Sequence, residues 1–172
     1  MMVTKSLSIR LNQAMEAVSL SHSEKRATAL GIDMGLLILR AAGLFLLLTY
    51  GWDKFRLYLQ LARAGGPWES SGLTPLIRVM GFPMPVLLGI YVAFCESIGA
   101  LLIACGLLTR ATSVLAALSM AGAFYTSLRL QEEPLRALLY FFVFAAIALA
   151  GAGRFSIDHW LASRELRPNS RG

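Results

Sequence analysis

The sequence predicts an all-α integral membrane protein, a four-helix bundle whose helices run alternately up and down. Hydrophobic residues make up 56% of the 172 residues and charged residues only 15%, whereas ordinary soluble domains carry about 25% charged residues. Four apolar segments approach the roughly 20 residues that a helix needs to cross a bilayer, and short connections between the last three make consecutive helices antiparallel. We place the four spans at about residues 35–52, 83–105, 111–128 and 135–152.

A single membrane domain, residues 34–162, holds all four predicted spans. Residues 1–33 are polar to amphipathic and lack the apolar core of a signal peptide, so we expect either a cytoplasmic tail or a helix on the membrane surface. The longest internal connection, residues 53–82, contains a short amphipathic segment of the same kind, and another surface helix is expected after the last span. Residues 163–172 have the composition of a disordered tail.

The formal net charge of +6 indicates orientation rather than a nucleic-acid partner. The basic residues flank apolar runs and form no stripe interleaved with aromatic residues, which disfavours nucleic-acid binding. Cytoplasmic loops of membrane proteins carry an excess of Lys and Arg, and here the segments on the side of both termini carry more of them than the opposite connections. We therefore expect a multi-pass protein of a bacterial-type inner (cell) membrane with both termini in the cytoplasm.

Glu96 lies inside the second apolar run. A carboxylate at membrane depth costs about 2.5–3.5 kcal/mol on insertion scales, so it must face protein or water rather than lipid. Steps of three or four residues from Glu96 reach Gly89, Ala93, Gly99 and Ala100, and such small residues mark faces where membrane helices pack closely. Glu96 is therefore expected to point toward a neighbouring helix.

Arg40 is the charge inside the first span, and two interpretations of it stay open. It either snorkels toward the headgroups or points inward and pairs with Glu96, since the predicted depths of the two backbones differ by only about 5 Å. An inward pair would either fix helix register or line a polar pocket for a quinone headgroup or a proton relay. Arg40 begins a stripe along one face of the helix whose other members are Gly43, Leu47, Tyr50, Gly51 and Lys54.

The cysteines and histidines predict no metal or haem site in this chain. Cys95 and Cys105 are ten residues apart on one predicted helix, about 15 Å along its axis, which is too far for a disulfide between them. His22 and His159 lie outside the apolar runs, whereas haem bound within a membrane bundle needs ligands inside it.

Three segments resemble the DoxX family of four-helix membrane proteins over about residues 34–162. The first span, LLILRAAGLFLLLTYGWDK, is similar in its early arginine and its terminal glycine and lysine. The second, GFPMPVLLGIYVAFCESIGALLIACGLLTR, has the proline entry, the intramembrane glutamate and the Gly-Leu-Leu-Thr-Arg exit. The last is similar in LLYFFVFAAIALAGAGRFSIDHWL. Tyr50 stands where many members have histidine, although a phenol can still donate a hydrogen bond.

The resemblance implies a role beside redox enzymes, since some relatives are quinone-linked subunits. We expect either a membrane subunit of a redox-associated complex, with a quinone-headgroup or proton-relay site near Arg40, Tyr50 and Glu96, or a non-catalytic accessory or scaffold subunit. The first alternative makes the chain at most one subunit of a quinone-linked oxidoreductase, with quinone as its cofactor. The expected partners are the lipid bilayer, other membrane or redox subunits and a second copy of the chain. Family-motif residues carried over are Gly51, Lys54, Arg110, Arg154 and Asp158.

Overall fold

The computed structural model describes the backbone of residues 2–165 and the side chains of residues 24–164. Within that part 83% of the residues are in helices and none is in a strand, so the all-α prediction is confirmed. Most of the predicted C-terminal tail, residues 166–172, lies outside the described residues. The chain divides into two compact units, of which the first ends at Gly35 and the second begins at Leu36. The candidate functional site lies in the second unit.

The first predicted span belongs to a helical segment that continues well past Trp52. Helix α1 covers Met2–Leu46, a π-helical turn covers Leu47–Gly51, and helix α2 covers Trp52–Ala64. The sequence becomes more polar after Trp52 but contains no helix-breaking residue before Gly65, which ends α2 in the left-handed conformation. The first twelve residues of the connection predicted for residues 53–82 are therefore helical, because a fall in hydropathy does not by itself end a helix.

The remaining elements follow the predicted order along the chain. A single 3₁₀ turn, Trp68–Ser70, and the short helix α3 complete the connection, and a second π-helical turn, Cys95–Gly99, interrupts the second predicted span. Two left-handed residues, Gly106 and Leu108, make the tight turn between the second and third spans. The helices from α3 onward are α3 Thr74–Val79, α4 Pro85–Phe94, α5 Ala100–Cys105, α6 Thr109–Leu130, α7 Leu135–Ala150 and α8 Ile157–Glu165.

Three helical segments of the described chain are long and apolar enough to cross a membrane: Glu24–Ala64, Pro85–Cys105 and Thr109–Leu130. Helix α7 is apolar but has only 16 residues, which corresponds to about 24 Å against a hydrocarbon thickness of about 30 Å. By length and composition the chain is thus a multi-pass membrane protein.

The core of the second unit joins α1, α5, α6 and α7. Ile103, Phe144 and Ile147 are completely buried at its centre, with Ala100 and Ala116 among the small residues packed around them. A side chain at Gly43 of α1 would begin 2.8 Å from the carbonyl oxygen of Ala100. This close approach holds α1 against α5 and fixes which residues of the two helices face one another.

Candidate functional site

Two polar clusters lie inside the second unit, at different levels along α4 and α5. The Arg40 cluster comprises Arg40, Asp158 and the backbone groups that they bind. The Lys54–Glu96 cluster comprises Lys54, Glu96 and the polar side chains of the cavities beside them. Ile103, which Arg40 contacts, follows Glu96 by seven residues, which is about 10 Å of helix.

Arg40 binds four backbone carbonyls and is only 3% exposed. Its guanidinium donates hydrogen bonds to the carbonyl oxygens of Ile103 (3.0 Å) and Ala104 (2.7 Å) at the end of α5. It also donates to those of Ala152 (3.1 Å) and Phe155 (2.6 Å) after α7. The last carbonyls of a helix have no partner within it, so Arg40 caps the end of α5 and ties it to the segment that follows α7.

Asp158 of α8 caps the start of α6, although the two helices are far apart in the sequence. Its carboxylate accepts hydrogen bonds from the backbone N–H groups of Leu108 (2.8 Å) and Thr109 (3.0 Å), and from the Thr109 hydroxyl (3.0 Å). Partial burial raises the pKa of Asp158, but these hydrogen bonds and the positive charge of Arg40 outweigh that effect and hold the pKa below its usual value. The carboxylate is therefore ionised at neutral pH and complements the positive end of the α6 dipole.

The predicted pairing of Arg40 with Glu96 is wrong. Arg40 donates its hydrogen bonds to backbone carbonyls, while Glu96 forms its ion pair with Lys54. The prediction measured the depth of Arg40 from an assumed cytoplasmic end of the first span at about Gly35. In the structure, Arg40 contacts the carbonyl oxygen of Ile103. Seven helical residues separate Ile103 from Glu96.

Lys54 and Glu96 form an ion pair that is mostly enclosed by protein. Glu96 is 5% exposed, and its Oε2 accepts a hydrogen bond from Lys54 Nζ. The pair lies where the two π-helical turns, Leu47–Gly51 and Cys95–Gly99, pack together. A side chain at Gly51 would begin 1.8 Å from the carbonyl oxygen of Glu96, so the two backbones touch and only glycine fits. Single π-helical turns occur frequently at functional sites.

Two cavities meet at this ion pair. The acidic cavity, of about 440 Å³, is lined by Tyr50, Arg136, Glu132 and Glu133 among others. The apolar cavity, of about 380 Å³, lies between α3, α4 and α6 and is lined mainly by Leu73, Ile77, Phe82, Leu88, Tyr91 and Leu118. Five residues line both cavities, namely Lys54, Glu96, Ala123, Ser127 and Glu132. The ion pair is thus part of the wall that the two cavities share.

Tyr50 faces the acidic cavity and is held by Arg136. The Arg136 guanidinium donates a hydrogen bond to the Tyr50 hydroxyl and lies 5.7 Å from the centre of its ring. Such an arrangement combines a hydrogen bond with a cation–π contact. The predicted site residues therefore separate into two groups: Tyr50, Gly51, Lys54 and Glu96 come together, whereas Arg40 and Asp158 belong to the other cluster.

The other family-motif residues lie near the Arg40 cluster. Arg110 approaches Gly151, where a side chain would begin 3.3 Å from Arg110 Nε, and Arg154 is exposed on the segment after α7. Sequence analysis missed Arg136 and Glu132 as site residues. The pair Glu132–Glu133 before Pro134 has the composition of a helix start, and only the tertiary contact between α7 and the turn Leu47–Gly51 brings Arg136 to Tyr50.

Within the described residues, no three His, Cys, Asp or Glu side chains are grouped closely enough to hold a metal ion.

Comparison with known proteins identifies the family. Neither the curated proteins nor the solved structures contain a match to this chain. The family model DoxX matches residues 35–128, a stretch that includes Arg40, the Lys54–Glu96 pair and both π-helical turns. Since this match covers more than half of the sequence, the chain belongs to the DoxX family.

Proposed function

We propose that this chain is the membrane subunit of a redox-associated complex and contributes a proton relay beside a quinone headgroup. The observation that carries the proposal is the enclosed Lys54–Glu96 ion pair in the wall shared by an acidic and an apolar cavity. In this proposal the fold is the four-helix up-and-down bundle predicted from the sequence, with Leu135–Ala150 as its fourth helix. Its location is a bacterial-type inner membrane, with both termini in the cytoplasm.

The residues around the pair suit a quinone. Ligand pockets are mostly apolar with a few placed polar groups and occupy roughly 300–1,000 Å³, and the apolar cavity of about 380 Å³ has this character. Quinone carbonyls accept hydrogen bonds, and Lys54 lines this cavity with donor groups to offer. A bound quinone takes up two electrons and two protons, and the electrons come from a redox partner in the complex.

Glu96 is the proposed proton carrier. It lines both cavities, and Lys54 binds its Oε2. The other carboxylate oxygen, Oε1, takes a proton from the acidic-cavity side and gives it up on the apolar-cavity side. Glu132 also lines both cavities and connects this route to the turn between α6 and α7. Arg40, whose guanidinium already holds four carbonyls, is a structural residue in this proposal.

A scaffold role is the second candidate, and the Arg40 cluster favours it. Arg40 and Asp158 stabilise helix ends without lining either cavity, which supports a purely structural role for buried charges in this chain. The Lys54–Glu96 pair would then also only stabilise the packing of the helices. The two candidates differ in what the loss of the Glu96 charge does.

The substitution Glu96→Gln separates the candidates. The tagged protein is first purified from native membranes in mild detergent, and the co-purifying subunits are identified by mass spectrometry. We expect Glu96→Gln to lower the quinone-dependent turnover of that complex at least tenfold, since general acid–base groups contribute about 10²–10⁴-fold, with unchanged abundance. The matched control is Glu69→Gln, which makes the same change in an exposed pair with Arg78. Reduced abundance with normal turnover per complex would support the scaffold role instead.

A further inference from the structure

The hydroxyl group of Ser119 is buried inside the membrane domain without a protein partner. Ser119 lies on α6 and is 4% exposed. In the part of the chain that the structure describes, its Oγ makes no hydrogen bond. It lines the apolar cavity together with Lys54 and Glu96. A buried hydroxyl without a partner is costly, so this group is a candidate contact for a ligand.

Tyr91 explains why Ser119 lacks the usual partner of a helical serine. Ser and Thr in helices commonly bind the carbonyl oxygen four residues back, as Thr112 and Thr126 of the same helix do with Leu108 (3.0 Å) and Gly122 (2.9 Å). The corresponding oxygen for Ser119 is that of Leu115. It accepts a hydrogen bond from the hydroxyl of Tyr91 of α4 in addition to the helical hydrogen bond from the Ser119 N–H. A carbonyl oxygen has two lone pairs, so both are occupied.

The chemistry of the two cavities decides which one suits a quinone ring. Quinone carbonyls can only accept hydrogen bonds. Beside the residues that both cavities share, the acidic cavity is lined by the charged side chains of Glu133 and Arg136 and by the Tyr50 hydroxyl, and covering such groups with an apolar ring would be costly. Beside the same shared residues, which include Lys54, the apolar cavity offers the Ser119 hydroxyl as a donor without a protein partner among leucine and aromatic side chains.

We propose that Ser119 is a quinone-binding residue, whose hydroxyl donates a hydrogen bond to a carbonyl oxygen of a quinone ring in the apolar cavity, between α4 and α6. The acidic cavity then remains free of the ring and supplies protons through Glu96. This inference rests on the proposed quinone-linked function and adds to it the position of the ring and a residue that binds it. Ser119 performs no proton transfer, so its loss should weaken binding more than turnover at saturating quinone.

Binding of decyl-substituted benzoquinone and naphthoquinone to the purified full-length chain in lipid nanodiscs tests the inference. Ser119→Ala should bind the preferred quinone about threefold to tenfold more weakly, the usual effect of one lost hydrogen bond, whereas Ser119→Thr retains a hydroxyl and should bind nearly as the wild type. The matched control is Ser113→Ala, which removes another buried hydroxyl without a partner from the same helix but away from both cavities.

The outcomes distinguish this inference from the function on which it rests. A melting temperature of Ser119→Ala no lower than that of the wild type, with weaker binding only in Ser119→Ala, would support the inference. Unchanged binding by Ser119→Ala would overturn it, and the proposed function would survive if Glu96→Gln still lowered turnover. If the wild-type chain bound neither quinone and Glu96→Gln left turnover normal, both proposals would be wrong.

Discussion

Replacing Gly51 by alanine should separate the two π-helical turns and destabilise the protein. The new Cβ would begin 1.8 Å from the carbonyl oxygen of Glu96, and real Cβ contacts essentially never fall under 3.0 Å. The backbones must therefore move apart by about 1.2 Å, the difference between these two distances, because the contacted atom belongs to the backbone and cannot rotate away. Overpacking in a close-packed interior costs about 1–3 kcal/mol, and this contact belongs at the upper end.

The expected cost is measurable by thermal unfolding in detergent. About 3 kcal/mol corresponds to a fall in Tm of roughly 6–12 °C for a protein of this size. The matched control is Gly35→Ala, a helical glycine with nothing within 4 Å of its added Cβ. That change should leave Tm unchanged or raise it, because alanine favours the helix over glycine by up to about 1 kcal/mol. A Gly51→Ala protein within about 2 °C of the wild type would refute the contact between the turns.

Two further predictions concern the charged groups. Lys54→Met leaves Glu96 enclosed without its partner and should lower the free energy of unfolding by about 3–5 kcal/mol. The double variant Lys54→Met/Glu96→Gln should recover much of that stability in the same melting assay. A double variant no more stable than Lys54→Met would contradict the pairing. Asp158 has a pKa below its usual value of 3.8, so its stabilising effect is complete above that pH and is lost as pH falls further. Asp158→Asn should therefore have a lower Tm than the wild type at pH 7, and the difference should shrink below about pH 4; a difference independent of pH would contradict the role of the carboxylate charge.

The sequence was sufficient to predict the helical class, the inward direction of Glu96 and three residues of the site, Tyr50, Lys54 and Glu96. It was not sufficient to pair them. Hydropathy shows where apolar residues occur, but the register between two helices depends on contacts such as Gly43 against Ala100. Arg40 lies at the level of Ile103, seven residues from Glu96, and Lys54 is therefore the partner of Glu96.

Ser119 illustrates a different limit of sequence analysis. Its place among Thr112, Ala116, Ala123 and Thr126 has the pattern of a small-residue packing face, and its neighbours on that face satisfy their hydroxyls within the helix. Nothing in the spacing distinguishes Ser119 from them. The distinction comes from Tyr91 of another helix, which takes the oxygen that Ser119 would otherwise bind. A site that depends on such competition for one acceptor becomes visible only when the tertiary contacts are known.

The two clusters together explain why Arg40 and Lys54 both occur on the first helical segment. Arg40 binds the end of α5 and the segment after α7, and this attachment fixes how far α1 can slide along α5. With that register set, Gly51 meets the backbone of Glu96 and Lys54 reaches its carboxylate. A buried charge is costly unless it is paired, so a shift of α1 by one turn would leave both Arg40 and Glu96 without partners. The Arg40 cluster is therefore what keeps the proposed relay assembled, although it lines neither cavity.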